Sequence, residues 1–97
     1  MTKNDIVTQI ARETGVSRLT AQKVVESFMG TVQESLAKDK NIYLRGFGSF
    51  IIKKRARKLA RDISKNTTVI VPEHFIPYFK PSDSFVNKIK RSLGSKV

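Results

Sequence analysis

The sequence predicts an α+β fold: a helical base of two N-terminal helices, a three-stranded antiparallel sheet carrying a long β-hairpin arm, and a short C-terminal helix. Three observations carry this expectation. Apolar residues recur at helical spacing through about the first 40 positions, the period then switches to two, and a run of basic residues lies between two β-prone segments rather than at a terminus. At 97 residues the chain makes one domain, near the lower limit for burying a core alone, so a dimer with a shared core would relieve that limit.

The elements follow in order. Thr2 is placed to cap a first helix with Asp5 at its third position. Ile6, Val7, Ile10 and Ala11 form the apolar stripe, and Gly15 supplies the stop. Ser17 is the expected N-cap of a second helix, in which Ala21, Val24, Val25, Phe28, Met29, Val32 and Leu36 fall on one face. That stripe reads as core or dimer packing, not as a cofactor site. After Asn41 the residues Ile42, Leu44, Gly48, Phe50 and Ile52 share one parity, with Gly46-Phe47-Gly48 as the tight turn between two strands.

The second strand is expected to run on into Lys53-Lys54-Arg55-Ala56-Arg57-Lys58-Leu59-Ala60-Arg61, where six of nine residues are basic and none is acidic. Burying that many unpaired charges is too costly, so this part must leave the core. Asp62 to Asn66 has turn composition, and Thr67-Thr68-Val69-Ile70-Val71 is the return strand of a projecting hairpin. Pro72, Pro77 and Pro81 punctuate the way back. Ser82 then caps a final helix bearing Phe85, Val86, Ile89 and Leu93 on one side and Lys88, Lys90, Arg91 and Lys96 on the other. The division is therefore a helical dimerisation base over 1–40, a sheet with a polyanion-binding arm over 41–81, and a C-terminal helix over 82–97.

Charge narrows the function. The 19 basic and 8 acidic residues give a net charge of +11, more than solubility requires, and the partner expected is a polyanion. Residues 1–40 carry six basic and five acidic side chains, whereas 41–97 carry thirteen basic residues against Asp62, Glu73 and Asp83. Binding therefore belongs to the second part of the chain. No cysteine is present, and His74 has no second histidine at ligand spacing, so no metal or other cofactor is expected. Gly46 and Gly48 do not make a phosphate-binding loop, because GxxxxGK[ST] is absent. Neither the carboxylates nor Ser49, Ser82 and Ser84 form a catalytic constellation, so an enzyme is not expected. No apolar run approaches the roughly 20 residues of a membrane span, and no membrane or small-molecule partner is expected. The rival partners are RNA, which would be read by shape and 2′-OH groups, and an anionic membrane surface, which a basic ribbon suits less well than an amphipathic helix does.

Several blocks carry a resemblance. Thr2-Lys3, Arg45-Gly46-Phe47-Gly48-Ser49-Phe50, Arg55-Ala56-Arg57, Val71-Pro72 and Ile76-Pro77-Tyr78-Phe79-Lys80-Pro81 together resemble the bacterial HU and integration host factor family over essentially the whole chain. That resemblance implies an intertwined dimer, with a homodimer expected and a heterodimer left open. Two arms would wrap double-stranded DNA through the minor groove with little base readout and bend it, in the nucleoid of the bacterial cytoplasm. It implies that Phe47, Phe50 and Phe79 lie in the shared core, to which the apolar stripes add Phe28, Val32, Leu36 and Leu44. Arg55, Lys58 and Arg61 match arm positions on the sugar-phosphate backbone and in the minor groove, and Lys3, Lys80 and Lys88 match positions lining the body under the DNA. The charge pattern adds Arg45, Lys53, Lys54, Arg57 and Lys65 to the expected contacts.

The chain departs from the family at two places. At the tip the usual Arg-Asn-Pro is Arg61-Asp62-Ile63, so an isoleucine takes the position of the intercalating proline. Ile63 reads either as an incidental exposed residue of the turn or as an apolar wedge between base pairs, without the fixed φ of proline and with the Asp62 charge beside it. Before the last helix, Ser82-Asp83 replaces a glycine and a basic residue.

Overall fold

The structure is a computed structural model that describes residues 1–62, Ser64 and 66–94. Its elements run α1 (Lys3–Thr14), α2 (Arg18–Ala37), β1 (Ile42–Leu44), β2 (Gly48–Arg55), β3 (Lys58–Asp62), β4 (Thr67–Val71), β5 (His74–Pro81) and α3 (Asp83–Leu93). The α+β class and the three helices agree with the sequence reading.

Local chemistry sets the helix ends. At α1 the Thr2 N–H donates to Asp5 Oδ2 at 2.8 Å while the Asp5 N–H donates to Thr2 Oγ1 at 3.3 Å, a reciprocal capping box. The Thr2 backbone hydrogen bond, reinforced by its hydroxyl, holds the Asp5 carboxyl below its ordinary value. Gly15 ends the helix at φ 79°, its N–H donating to the Ala11 carbonyl at 3.0 Å. Ser17 caps α2 by accepting from the Thr20 N–H at 3.1 Å, and Ser82 caps α3 by accepting from the Phe85 N–H at 3.2 Å.

The sheet order is β1-β2-β5, all antiparallel, and β3 pairs with β4 in a separate two-stranded ribbon. The loop joining β1 to β2 has three residues between the partners Leu44 and Gly48. It is closed by the Phe47 N–H donating to the Leu44 carbonyl at 3.0 Å, with Gly46 at φ 80°. β5 contains Pro77 and Pro81, which the sequence reading treated only as punctuation. A strand holding two prolines is tolerated because β5 is an edge, where the missing N–H groups leave no ladder partner unsatisfied.

The continuous strand expected through Arg61 is corrected by the structure. β2 stops at Arg55, Ala56 and Arg57 are unpaired, and β3 begins at Lys58. The opposite strand breaks at Pro72 and Glu73, and proline has no N–H to donate to the ladder at that point. The register nevertheless passes through the break unchanged. Arg55 pairs with His74 and Lys58 with Val71, so three residues forward on one side match three residues back on the other. β2–β3 and β4–β5 thus form one hairpin frame with a two-residue interruption on each side.

The interior of the single chain is thin. Among the described residues only Val7, Ala21 and Leu36 are buried apolar side chains. An aromatic cluster joins the layers: Phe50 meets Phe28 of α2 at 6.5 Å between ring centroids and Phe79 at 5.0 Å, and Phe47 meets Phe79 at 5.2 Å and Phe85 of α3 at 5.4 Å. The Ser82 N–H donates to the Phe47 carbonyl at 2.9 Å, which fastens the start of α3 to the β1–β2 turn. Of the residues assigned to a dimer core, Leu36 is buried, Val32, Leu44, Phe50 and Phe79 are half-buried, and Phe28 and Phe47 stay nearly half exposed.

Candidate nucleic-acid interface

Strand alternation sorts the side chains of the sheet. Phe50 and Phe79, which pack toward α2 and α3, share a face with Ile42, Leu44, Ile52 and Phe75. The opposite face carries Tyr43, Ser49, Ile51, Lys53 and Arg55 from β1 and β2, and His74, Ile76, Tyr78 and Lys80 from β5. Three cations and two tyrosines therefore lie on one surface. The Lys53 ammonium stands 4.4 Å from the centroid of the Tyr78 ring, a cation–π contact that holds both side chains over the sheet.

The cationic surface continues at the break in the ribbon. A cleft of about 490 Å³ there is lined by Arg55, Ala56, Arg57, Lys58, His74 and Ile76. Beyond it, alternation along β3 places Lys58 and Arg61 on opposite faces of the ribbon, with the exposed pair Leu59 and Ile70 on the Arg61 side. The Arg61 guanidinium donates to the Asn66 side-chain oxygen across the end of the ribbon, and Asn66 takes a positive φ of 51°. Ile63 and Lys65, both assigned to the interface, lie outside the described residues.

The remaining expected contacts are not gathered on this surface. Lys54 projects to the other face, where its ammonium pairs with Glu73 at 3.0 Å. Lys3 extends from α1 to Glu26 of α2 at 3.6 Å. Arg45 borders a cleft of about 450 Å³ beside the β1–β2 turn, whose lining also includes Asp83 and, from the cationic face, Tyr43 and Lys80. Lys88 of α3 lines a different one of about 610 Å³ with Phe47, Phe85 and Ile89. Both ion pairs are about half exposed and contribute at most about 1 kcal/mol each.

Sequence reasoning placed neither tyrosine on this face and read His74 only as a surface or interface residue. The signal for Tyr43 was present, since it alternates with the inward Ile42 and Leu44. Tyr78 and His74 needed the β2–β5 register, because nothing local says which residues a strand rich in proline will face.

Comparison with known proteins bears on what this surface binds. The family model described as bacterial DNA-binding protein matches residues 1–90. The chain is 28% identical to the DNA-binding protein HU of Thermotoga maritima over 90 residues, covering 93% of this chain and all of that one. It is 33% identical over 98 aligned positions to the integration host factor subunit beta of Paraburkholderia phytofirmans, covering this whole chain and 92% of the relative. Among solved structures, Anabaena HU in a cocrystal with DNA superposes with a TM-score of 0.88 at 26% identity, covering 92% of this chain and 97% of that one. The cationic hairpin frame and these matches converge: the chain belongs to the bacterial DNA-binding protein family of HU and integration host factor.

Proposed function

We propose that this chain is an architectural protein that binds double-stranded DNA as a dimer, largely without base readout, grips the minor groove with two β3–β4 arms, and bends the duplex within the bacterial nucleoid. The observation that carries the DNA reading is the single cationic surface, which runs from Lys80 and Lys53 on the sheet through Arg55 and Arg57 to the arm. Cations set at strand spacing along a ribbon match successive phosphates without demanding a base sequence. The division into a dimerisation base, a sheet with its arm and a closing helix belongs to the same reading.

The dimer is supported by surface area. The single chain exposes 8282 Å², nearly half as much again as the roughly 5,600 Å² that size scaling gives for a folded monomer of this mass. Its exposed apolar residues include Phe28, Met29, Phe47 and Ile89. A second copy of the chain would cover them, and a homodimer is the simplest such assembly. Sedimentation equilibrium should return twice the 11.0 kDa chain mass; a monomer at micromolar concentration would refute this part.

Bending a site of 20–30 base pairs costs on the order of 1–6 kcal/mol, and each wedge adds a few more, so many phosphate contacts must offset it. If roughly eight phosphates are neutralised, affinity should fall with salt at a log-log slope near −7. Ligase-mediated closure of short fragments tests the bend directly, comparing the natural protein with Ile63→Ala and Ile63→Pro. Binding without small circles in all three would leave a coating role in place of bending.

A further inference from the structure

We infer that His74 is a proton-dependent phosphate ligand at the base of the arm, so that affinity for DNA rises as pH falls. The inference rests on the DNA reading above and names a residue and a regulation that the reading does not contain. His74 opens β5 at the interruption of the hairpin and is the direct cross-strand partner of Arg55. Its Nδ1 lies 2.9 Å from the Pro72 carbonyl oxygen. A carbonyl only accepts, so Nδ1 carries the hydrogen and Nε2 is left with the lone pair.

The surroundings determine what protonation of Nε2 does. Arg55 faces His74 from β2, and Arg57 from the break and Lys58 from β3 border the same cleft. No acidic side chain lines that cleft among the described residues. Glu73, the adjacent carboxylate, belongs to the other face and is paired with Lys54. A phosphate seated in the cleft is attracted by the charge that protonation adds and offers Nε2–H an acceptor, so the protonated protein binds DNA more tightly. Imidazole is the side chain whose ordinary titration spans pH 5 to 8, while lysine and arginine remain charged throughout, so the surface otherwise has a flat response there.

The test is fluorescence anisotropy of a duplex of 20–30 base pairs at fixed ionic strength between pH 7.5 and 5.5. The natural protein should bind about three- to tenfold more tightly at the acid end, as one added charge-assisted phosphate contact would give. H74Q, which cannot gain a proton, should show no rise between pH 7.5 and 5.5. H74K should bind tightly at every pH. A flat profile for the natural protein, or an unchanged rise in H74Q, overturns the role of His74 while leaving DNA binding intact. Absence of duplex binding at any pH refutes the DNA reading, and the role of His74 with it.

Discussion

Replacing Gly48 by alanine should damage the sheet at the point where it meets α3. Gly48 pairs with Leu44 on one side and Pro81 on the other, and it is buried. A Cβ at this position would stand 2.6 Å from the Lys80 carbonyl oxygen and 2.7 and 2.8 Å from two carbons of the Phe79 ring. Ordinary contact begins near 3.5 Å, so both neighbours would have to retreat by roughly 0.8 Å. Neither has room. The carbonyl is part of the backbone of β5, and the Phe79 ring is held by Phe50 at 5.0 Å, Phe47 at 5.2 Å and Phe85 at 6.2 Å. Overpacking of this kind costs about 2–3 kcal/mol. For a chain of 97 residues that corresponds to a drop in melting temperature on the order of 10–20 °C. Gly46→Ala provides the contrast, because its φ of 80° is unfavourable for alanine but a Cβ there meets nothing within 4 Å, which limits its cost to about 1–2 kcal/mol. Both variants should be followed by circular dichroism in urea at one fixed protein concentration, since a dimer's stability depends on concentration. A Gly48→Ala protein within about 0.5 kcal/mol of the original would refute the claim that this strand crossing has no spare room.

Glu73→Gln should change stability by less than about 1 kcal/mol, as the Lys54–Glu73 pair is exposed, yet tighten duplex binding severalfold at low salt by freeing Lys54 and removing a negative charge from the arm base. An affinity unchanged by the substitution would place Glu73 beyond the reach of the DNA. In acid, the contribution of the α1 capping box should disappear: the Asp5 carboxyl is held below its ordinary value, so its stabilisation is full above that value and is lost as pH falls through the lowered one. Thr2→Ala, which removes the hydroxyl but leaves the backbone donor, should narrow the acid transition without abolishing it, as read by helicity against pH. An acid transition identical to that of the natural protein would show that the hydroxyl plays no part in it.

Much of this molecule was legible before any coordinates, and the legible part is the local part. Thr2 with Asp5, Ser17, Ser82 and Gly15 mark helix ends through hydrogen bonds that span four or five residues, so the chain itself contains both donor and acceptor. The turn, read at Gly46 to Gly48 and found one residue earlier at 45–47, and the basic run from Lys53 to Arg61 were nearly as plain, because a positive φ favours glycine and a dense charge run cannot be buried.

What tertiary structure alone decided is the pairing across the hairpin. Whether the basic strand stays paired past Arg55 depends on the residues opposite it, Pro72 and Glu73, about 16 positions away in sequence. The same register separates Lys53 and Arg55, which join Lys80 and Tyr78, from Lys54, which meets Glu73 on the other face. It also sets His74 against Arg55, turning a histidine without a metal-ligating neighbour in sequence into part of a cationic cleft. Composition determined that the partner to expect is a polyanion; strand register, a long-range property with a period of two, decided which cations share one face.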